Sequence, residues 1–155
     1  MAVPETSDGV DFEVRIAARP EVVFQFFTDP VKMMNWKGVE AALDPRPGGI
    51  YRVNVTGHDT VRGEYVEIVP YSRIVFTWGW EDGPVLPGSS LVEVSFIRDG
   101  DETIVRLRHS GLTEEAVEAH SQGWNHYLPR LAIAAAGKDP GTDPWTQPPP
   151  EHPQA

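Results

Sequence analysis

The sequence contains no cysteine. That removes disulfides, thiolate nucleophiles and Cys-ligated zinc together, and it fits the reducing cytoplasm in which the protein is expected. Cations are scarce: 13 Lys and Arg stand against 23 Asp and Glu, for a formal net charge of −10. A chain this acidic is repelled by phosphate backbones and anionic membranes, so no nucleic-acid partner is expected, and the charge serves solubility. No apolar run approaches the roughly 18 residues that span a bilayer, so no membrane insertion is expected. The first residues, MAVPETSDGVD, have neither a basic n-region nor an apolar h-region, so no signal peptide is expected.

Chemical motifs are also missing. There is no G-x-S-x-G, no G-x-G-x-x-G and no Walker loop. His120 and His126 stand about 240° apart around a helix and face different ways. His58 falls in a turn and His152 in the tail. With no H-x-x-x-H pair and no carboxylates at metal spacing, neither a metal nor a cofactor is expected.

What is present is a meander. Residues 48–80 read GGIYRVNVTGHDTVRGEYVEIVPYSRIVFTWGW. Three runs rich in β-branched and aromatic residues, 50–56, 60–69 and 73–80, are separated by Gly57-His58-Asp59 and Pro70-Tyr71-Ser72, which predicts antiparallel strands. Before them, Val10, Phe12, Val14 and Ile16 alternate on one face of a strand. Pro20 opens a helix whose Pro20, Val23, Phe24 and Phe27 share a face, and Asp29-Pro30 ends it. A short helical turn over 31–36 stops at Gly38, and 39–43 is a weak strand.

After the meander, residues 81–90 read as a mobile loop. Strands 91–98 and 103–110 follow, joined by the hairpin signal Asp99-Gly100. Thr113 is a helix cap, with Leu112 and Val117 placed as a hydrophobic staple. Val117, His120, Trp124, Tyr127, Leu128, Leu131 and Ala135 trace one helical stripe. Pro129 lies inside that pattern and should kink or divide the helix. Gly137 ends it. Residues 1–9 are expected to be loose, 10–137 to form one domain, and the Pro-rich 138–155 to be disordered or extended. At 155 residues, 40% hydrophobic and 23% charged, the chain suits one globular domain with a proper core.

Several blocks of this order carry a family resemblance. ARPEVVFQFFTDPVKMMNW resembles the first strand-to-helix passage of START-like (SRPBCC) domains. GGIYRV, VRGEYVEIVPYSRIVFTWGWE, ETIVRLRHSGL and HSQGWNHYLPRLA together resemble the subfamily named after the activator of the heat-shock-protein-90 ATPase. The likeness covers about residues 10–137. Its strongest elements are Gly63 through Trp78, His109-Ser110-Gly111-Leu112, and Gly123-Trp124 with Leu128 and Leu131. It implies an α+β helix-grip (START/Bet v 1-like) fold, in which a curved seven-stranded antiparallel sheet wraps a long C-terminal helix. The space between them would hold an apolar cavity, often ligand-binding. Members of the superfamily include lipid carriers, aromatic polyketide cyclases and hormone receptors. The eukaryotic activator adds a large N-terminal domain for which nothing before residue 10 substitutes, so chaperone activation is not expected here.

Strand alternation assigns the candidate site. Val105, Leu107 and His109 share an apolar face, so His109 points inward. It is the one catalytic candidate, as a proton-transfer or ligand-orienting group, against a hydrogen-bonded core histidine as the alternative. Tyr51, Val53 and Val55 point in. Val61, Gly63, Tyr65 and Glu67 share a face, and an inward Glu67 would pair with Arg73 in preference to serving as a catalytic carboxylate. Gly63 would let the helix approach closely. Trp36 and Trp80 sit at element ends where a cavity mouth would be, and Trp78 and Trp124 suit either its wall or the core. The expected ligand-binding set is therefore Trp36, Tyr51, Val53, Tyr65, Trp78, Trp80, His109, Trp124, Tyr127 and Leu128.

Three functions follow. The first is a non-catalytic module holding a small hydrophobic or amphipathic molecule, a lipid among them. The second is a cyclase- or aromatase-type enzyme using the same cavity with His109 or a Tyr as acid/base. The third is a co-chaperone-like interaction module. A homodimer is compatible with any of them.

Overall fold

The computed structural model describes residues 9–81, 83 and 85–146. The expected loose start and the end of the Pro-rich tail, residues 1–8 and 147–155, lie outside the described residues. The elements run β1 (Val10–Ile16), α1 (Pro20–Gln25), α2 (Pro30–Met33), β2 (Glu40–Leu43), β3 (Ile50–Asn54), β4 (Thr60–Val69), β5 (Arg73–Trp78), β6 (Ser90–Asp99), β7 (Glu102–Ser110) and α3 (Glu114–Ala135). The seven strands form one antiparallel sheet in the order β1-β7-β6-β5-β4-β3-β2. With α3 gripped by that sheet, this is the α+β helix-grip fold. Among the described residues no helix is long and apolar enough to cross a membrane.

Local chemistry places the helices. Pro20 and Pro30 each occupy a first helical position, where a missing N–H costs nothing. The Asp29 carboxylate caps α2, accepting from the Val31 amide at 2.8 Å. Thr113 caps α3 through the Ala116 amide at 3.2 Å. Leu112 and Val117 meet beside it in a small cluster with Val85 and Ala116. The stripe of α3 then buries His120, Trp124, Tyr127, Leu128, Leu131 and Ala135 against the sheet. Facing it are the inward residues of β3–β7, among them Tyr51, Val53, Tyr65, Phe76, Val94 and Leu107. Each large apolar side chain so buried contributes about 1.5–3 kcal/mol.

Four expectations change. First, Glu67 does not point inward. A β-bulge between Tyr65 and Glu67 inserts Val66 and turns the alternation over, so Glu67 lies outside. It still meets Arg73, at 3.0 Å, and Arg73 also binds Glu93 at 2.8 Å. Second, Gly63 admits a neighbouring strand rather than the helix, because a Cβ there would overlap the Thr77 carbonyl on β5. Third, α3 runs through Pro129 undivided for 22 residues. Pro129 lies on the exposed face and costs the helix the bond to the Asn125 carbonyl without dividing it.

Fourth, residues 138–146, the described start of the Pro-rich tail, have no regular secondary structure apart from a turn at 144–145, yet they pack back on α3. Arg130 donates to the carbonyls of Pro140 and Gly141 at 3.3 and 3.0 Å. Asp143 is buried against α3. The loop after β5 is held as well: the Trp80 amide donates to the Val85 carbonyl at 2.6 Å, and Val85 is buried.

Candidate functional site

A pocket of about 470 Å³ opens between the sheet and the first half of α3. The β3–β4 hairpin supplies Val55, Thr56, Asp59 and Thr60. Trp78, at the end of β5, and Trp80 and Gly83 beyond it form a second wall. Ala116, Ala119, His120, Gly123, Trp124 and Tyr127 line it from α3, and Trp145 reaches in from the segment after the helix. A Cβ at Gly123 would meet nothing within 4 Å, so the absent side chain adds directly to the opening.

Lys37 lies at the buried end of this pocket. It is 2% exposed. Its Nζ donates to the Tyr51 hydroxyl at 3.0 Å. The ammonium also sits 4.6 Å from the Trp78 ring centre and 4.9 Å from that of Trp124, with Trp36 and Tyr51 at 5.3 and 5.6 Å. Aromatic faces attract a cation, but they replace its hydration only in part. Burial therefore brings the Lys37 pKa down to about 7. Burial also pushes the Tyr51 phenol well above its ordinary value.

Two histidines stand behind and beside that lysine, and neither has a free nitrogen. The Trp124 indole N–H donates to His109 Nδ1 at 3.0 Å. An indole nitrogen can only donate, so the imidazole proton is on Nε2, which donates to Ser90 Oγ at 2.9 Å. The Ser90 hydroxyl passes its own proton to the Trp78 carbonyl at 2.8 Å. Burial, then the nearby His120 and Lys37, push the His109 pKa down to about 2. His120 carries the opposite tautomer. Its Nδ1 donates to the Ala116 carbonyl at 2.8 Å, and its Nε2 accepts from the Trp80 indole at 3.0 Å. Burial lowers its pKa too, against the backbone hydrogen bond. Both rings are neutral, oriented and saturated at neutral pH.

The mouth is closed on one side by a clamp. The Tyr127 hydroxyl donates to Asp143 Oδ2 at 2.6 Å, and His126 Nε2 meets Oδ1 at 2.7 Å. The Trp145 amide donates to the same Oδ1 at 2.9 Å. The Trp145 ring stacks on His126, 3.8 Å between centres and 8° from parallel. Burial tends to raise the Asp143 pKa, but hydrogen bonds from Tyr127, the Trp145 amide and His126 outweigh it and hold the carboxyl below its ordinary range.

Of the residues expected to line a cavity, Trp78, Trp80, Trp124 and Tyr127 do so. The others lie behind the wall. Trp36 is fully buried rather than at a mouth, its indole donating to the Phe26 carbonyl at 2.9 Å. Tyr65 donates to the Phe27 carbonyl at 2.8 Å. Tyr51 reaches the pocket only through Lys37. Val53, Leu128 and His109 belong to the core beneath. Sequence reasoning missed Lys37, Gly123, His120 as a wall residue, and Trp145. Lys37 has no periodic signal, since it follows a short helical turn. Trp145 had one: it is the only large apolar residue in a polar, Pro-rich stretch. Among the described residues no group of three His, Cys, Asp or Glu could hold a metal ion.

The sequence profile of the Activator of Hsp90 ATPase homolog 1-like protein family matches residues 17–136. The chain belongs to this family. A human protein, activator of 90 kDa heat shock protein ATPase homolog 1, is 27% identical to this family member over 111 residues, which is 70% of the chain and 31% of the human protein. The chain thus spans less than a third of that relative. An AHSA1-like protein of Rhizobium etli, whose solution structure is known, is 46% identical with a TM-score of 0.72, covering 95% of this chain and 93% of its own. DynU16, a putative protein in the dynemicin biosynthetic locus, shares the fold with a TM-score of 0.74 at 24% identity, over 88% of this chain and 50% of its own.

Proposed function

We propose that this AHSA1-like domain binds a small apolar or amphipathic molecule in the pocket between the β3–β4 hairpin, the end of β5 and α3. The observation that carries the reading is the pocket itself: about 470 Å³, walled by Trp78, Trp80, Trp124 and Trp145 and open beside Gly123. Well-formed apolar cavities of this size with a few polar groups are the usual form of a small-molecule site. The test is mass spectrometry of protein purified under native conditions, followed by titration of any retained compound back onto stripped protein with tryptophan fluorescence as readout. A retained compound whose binding is abolished by Gly123→Phe supports the reading. A compound that binds Gly123→Phe equally well would place it elsewhere.

An enzymatic alternative is favoured by one observation, the position of Lys37. An amine with a pKa near 7 can exchange a proton at neutral pH. A cyclase-type activity in this pocket would use Lys37 rather than His109, whose two nitrogens are both occupied. Turnover abolished in Lys37→Met but kept when His109 is replaced in a folded variant would select it.

A further inference from the structure

We infer that the pocket recognises its apolar ligand by one anionic oxygen group, a carboxylate in the simplest case, seated on Lys37 Nζ. This rests on the ligand-binding reading above and narrows its substrate class.

The first observation is an unmatched donor set. An ammonium has three protons to donate. Lys37 spends one on the Tyr51 hydroxyl, and the remaining neighbours are ring faces that accept weakly. Among the described residues no carboxylate forms an ion pair with it. A buried charge without a partner is strongly unfavourable, and such groups are normally paired. The second observation is independent of the first. The Trp78 indole N–H, in the same wall, is buried and has no hydrogen-bond partner. Two residues that line one cavity therefore carry buried donors beyond what protein acceptors match: Lys37, with one acceptor for three protons, and Trp78, with none.

The surrounding groups do not supply the missing charge. Tyr51 on β3 is a neutral phenol, its pKa driven up by burial. His109 on β7 and His120 on α3 are neutral, and Tyr127 on α3 is committed to Asp143. Asp59 and Glu115 stand on the exposed rim. Neither shifts Lys37, for which burial is the only cause. A carboxylate arriving with the ligand would pair with Nζ and restore its proton near neutral pH. The acidic rim and the single cation favour one negative charge rather than several. The tryptophan walls favour a flat, aromatic body.

The experiment uses the full chain and two probes of one shape, 2-naphthoate and neutral 2-naphthamide, in isothermal titration calorimetry. At pH 7 the naphthoate should bind about tenfold tighter or more, as charge-assisted hydrogen bonds are roughly twice as strong as neutral ones. In Lys37→Met the two should bind within about twofold of each other. Wild-type titrations near pH 8, in buffers of different ionisation enthalpy, should show uptake of up to about one proton with naphthoate and none with naphthamide. That last measurement needs no variant, so it stands even if Lys37→Met folds poorly. Equal affinities for the two probes without proton uptake would overturn the anion seat and leave the apolar pocket in place. A naphthoate preference that survives Lys37→Met would overturn it as well. If neither probe binds, the pocket reading fails and this inference falls with it.

Discussion

The Trp124 indole donates to His109 Nδ1 at 3.0 Å, and this contact fixes the imidazole as the Nε2–H tautomer. One proton position on β7 is thereby set by one residue on α3. The chain continues through Ser90 to the Trp78 carbonyl, so four residues on four elements share a single polar thread inside an apolar core. Such a thread is stabilising only while every member is present.

Replacing His109 should therefore unfold rather than merely disarm. His109→Ala would leave the Trp124 N–H and the Ser90 hydroxyl short of a partner and open a cavity among Leu107, Trp78 and Trp124. A loss of about 2–4 kcal/mol is expected in denaturant unfolding. A melting temperature unchanged within error would show that the thread carries no stability.

The same residue sets an acid limit. Its folded pKa of about 2 lies below the ordinary value of 6.5. Below pH 6.5 the unfolded chain takes up a proton that the folded chain refuses. The stability is complete above that value and drains as pH falls from 6.5 towards 2, by up to about 1.4 kcal/mol per pH unit. His120, also shifted down, acts with the same sign. Urea midpoints at pH 7.5, 6, 5 and 4 test this. A flat profile down to pH 4 would contradict the buried neutral histidines.

Gly123 offers a graded probe of the pocket. Its Cβ position is open, and alanine is the better helix former. Gly123→Ala should raise stability by about 0.5–1 kcal/mol with ligand binding retained. Gly123→Phe should project into the opening and abolish binding while the fold survives. A Gly123→Phe protein that binds as well as wild type would show that the opening is not used.

The clamp on Asp143 can be released separately. Asp143→Asn weakens three hydrogen bonds, from Tyr127, His126 and the Trp145 amide. Amide exchange across residues 138–146 should then quicken by an order of magnitude or more, with α3 itself protected as before, because local openings draw on local contacts. Equal protection in both proteins would mean that Arg130 alone holds the segment.

Pro129 should be replaceable at a profit in stability. Alanine restores an N–H for the Asn125 carbonyl on an exposed face. The greater freedom of the unfolded chain offsets part of that. A net gain of about 1–2 kcal/mol in Pro129→Ala is expected from thermal unfolding. A loss would reveal that the proline shapes α3 in a way its neighbours require.

The strands themselves, the helix started by Pro20 and the stripe of α3 were legible because each rests on a short-range rule: alternation, a fixed φ, a 3.6-residue period. Glu67 was misplaced because one bulged residue inverts alternation, and no local signal marks Val66 as the extra one. Gly63 was right as a close approach and wrong in its partner. The site was less legible than the fold. Its tryptophans stand out by type, but Lys37 matters only through where residues 51, 78 and 124 bring their rings. The packing of residues 138–146 depends on Arg130 reaching the Pro140 and Gly141 carbonyls and on Asp143 reaching Tyr127 and His126, which composition does not announce.

The family match stops at residue 136, yet Trp145 forms part of the pocket wall. That wall residue hangs from a strap that contributes nothing to the sheet and little to the core. A change in that strap would reshape the pocket wall without touching a strand or the apolar stripe of α3, so the proposed binding and the fold rest on separable parts of the chain.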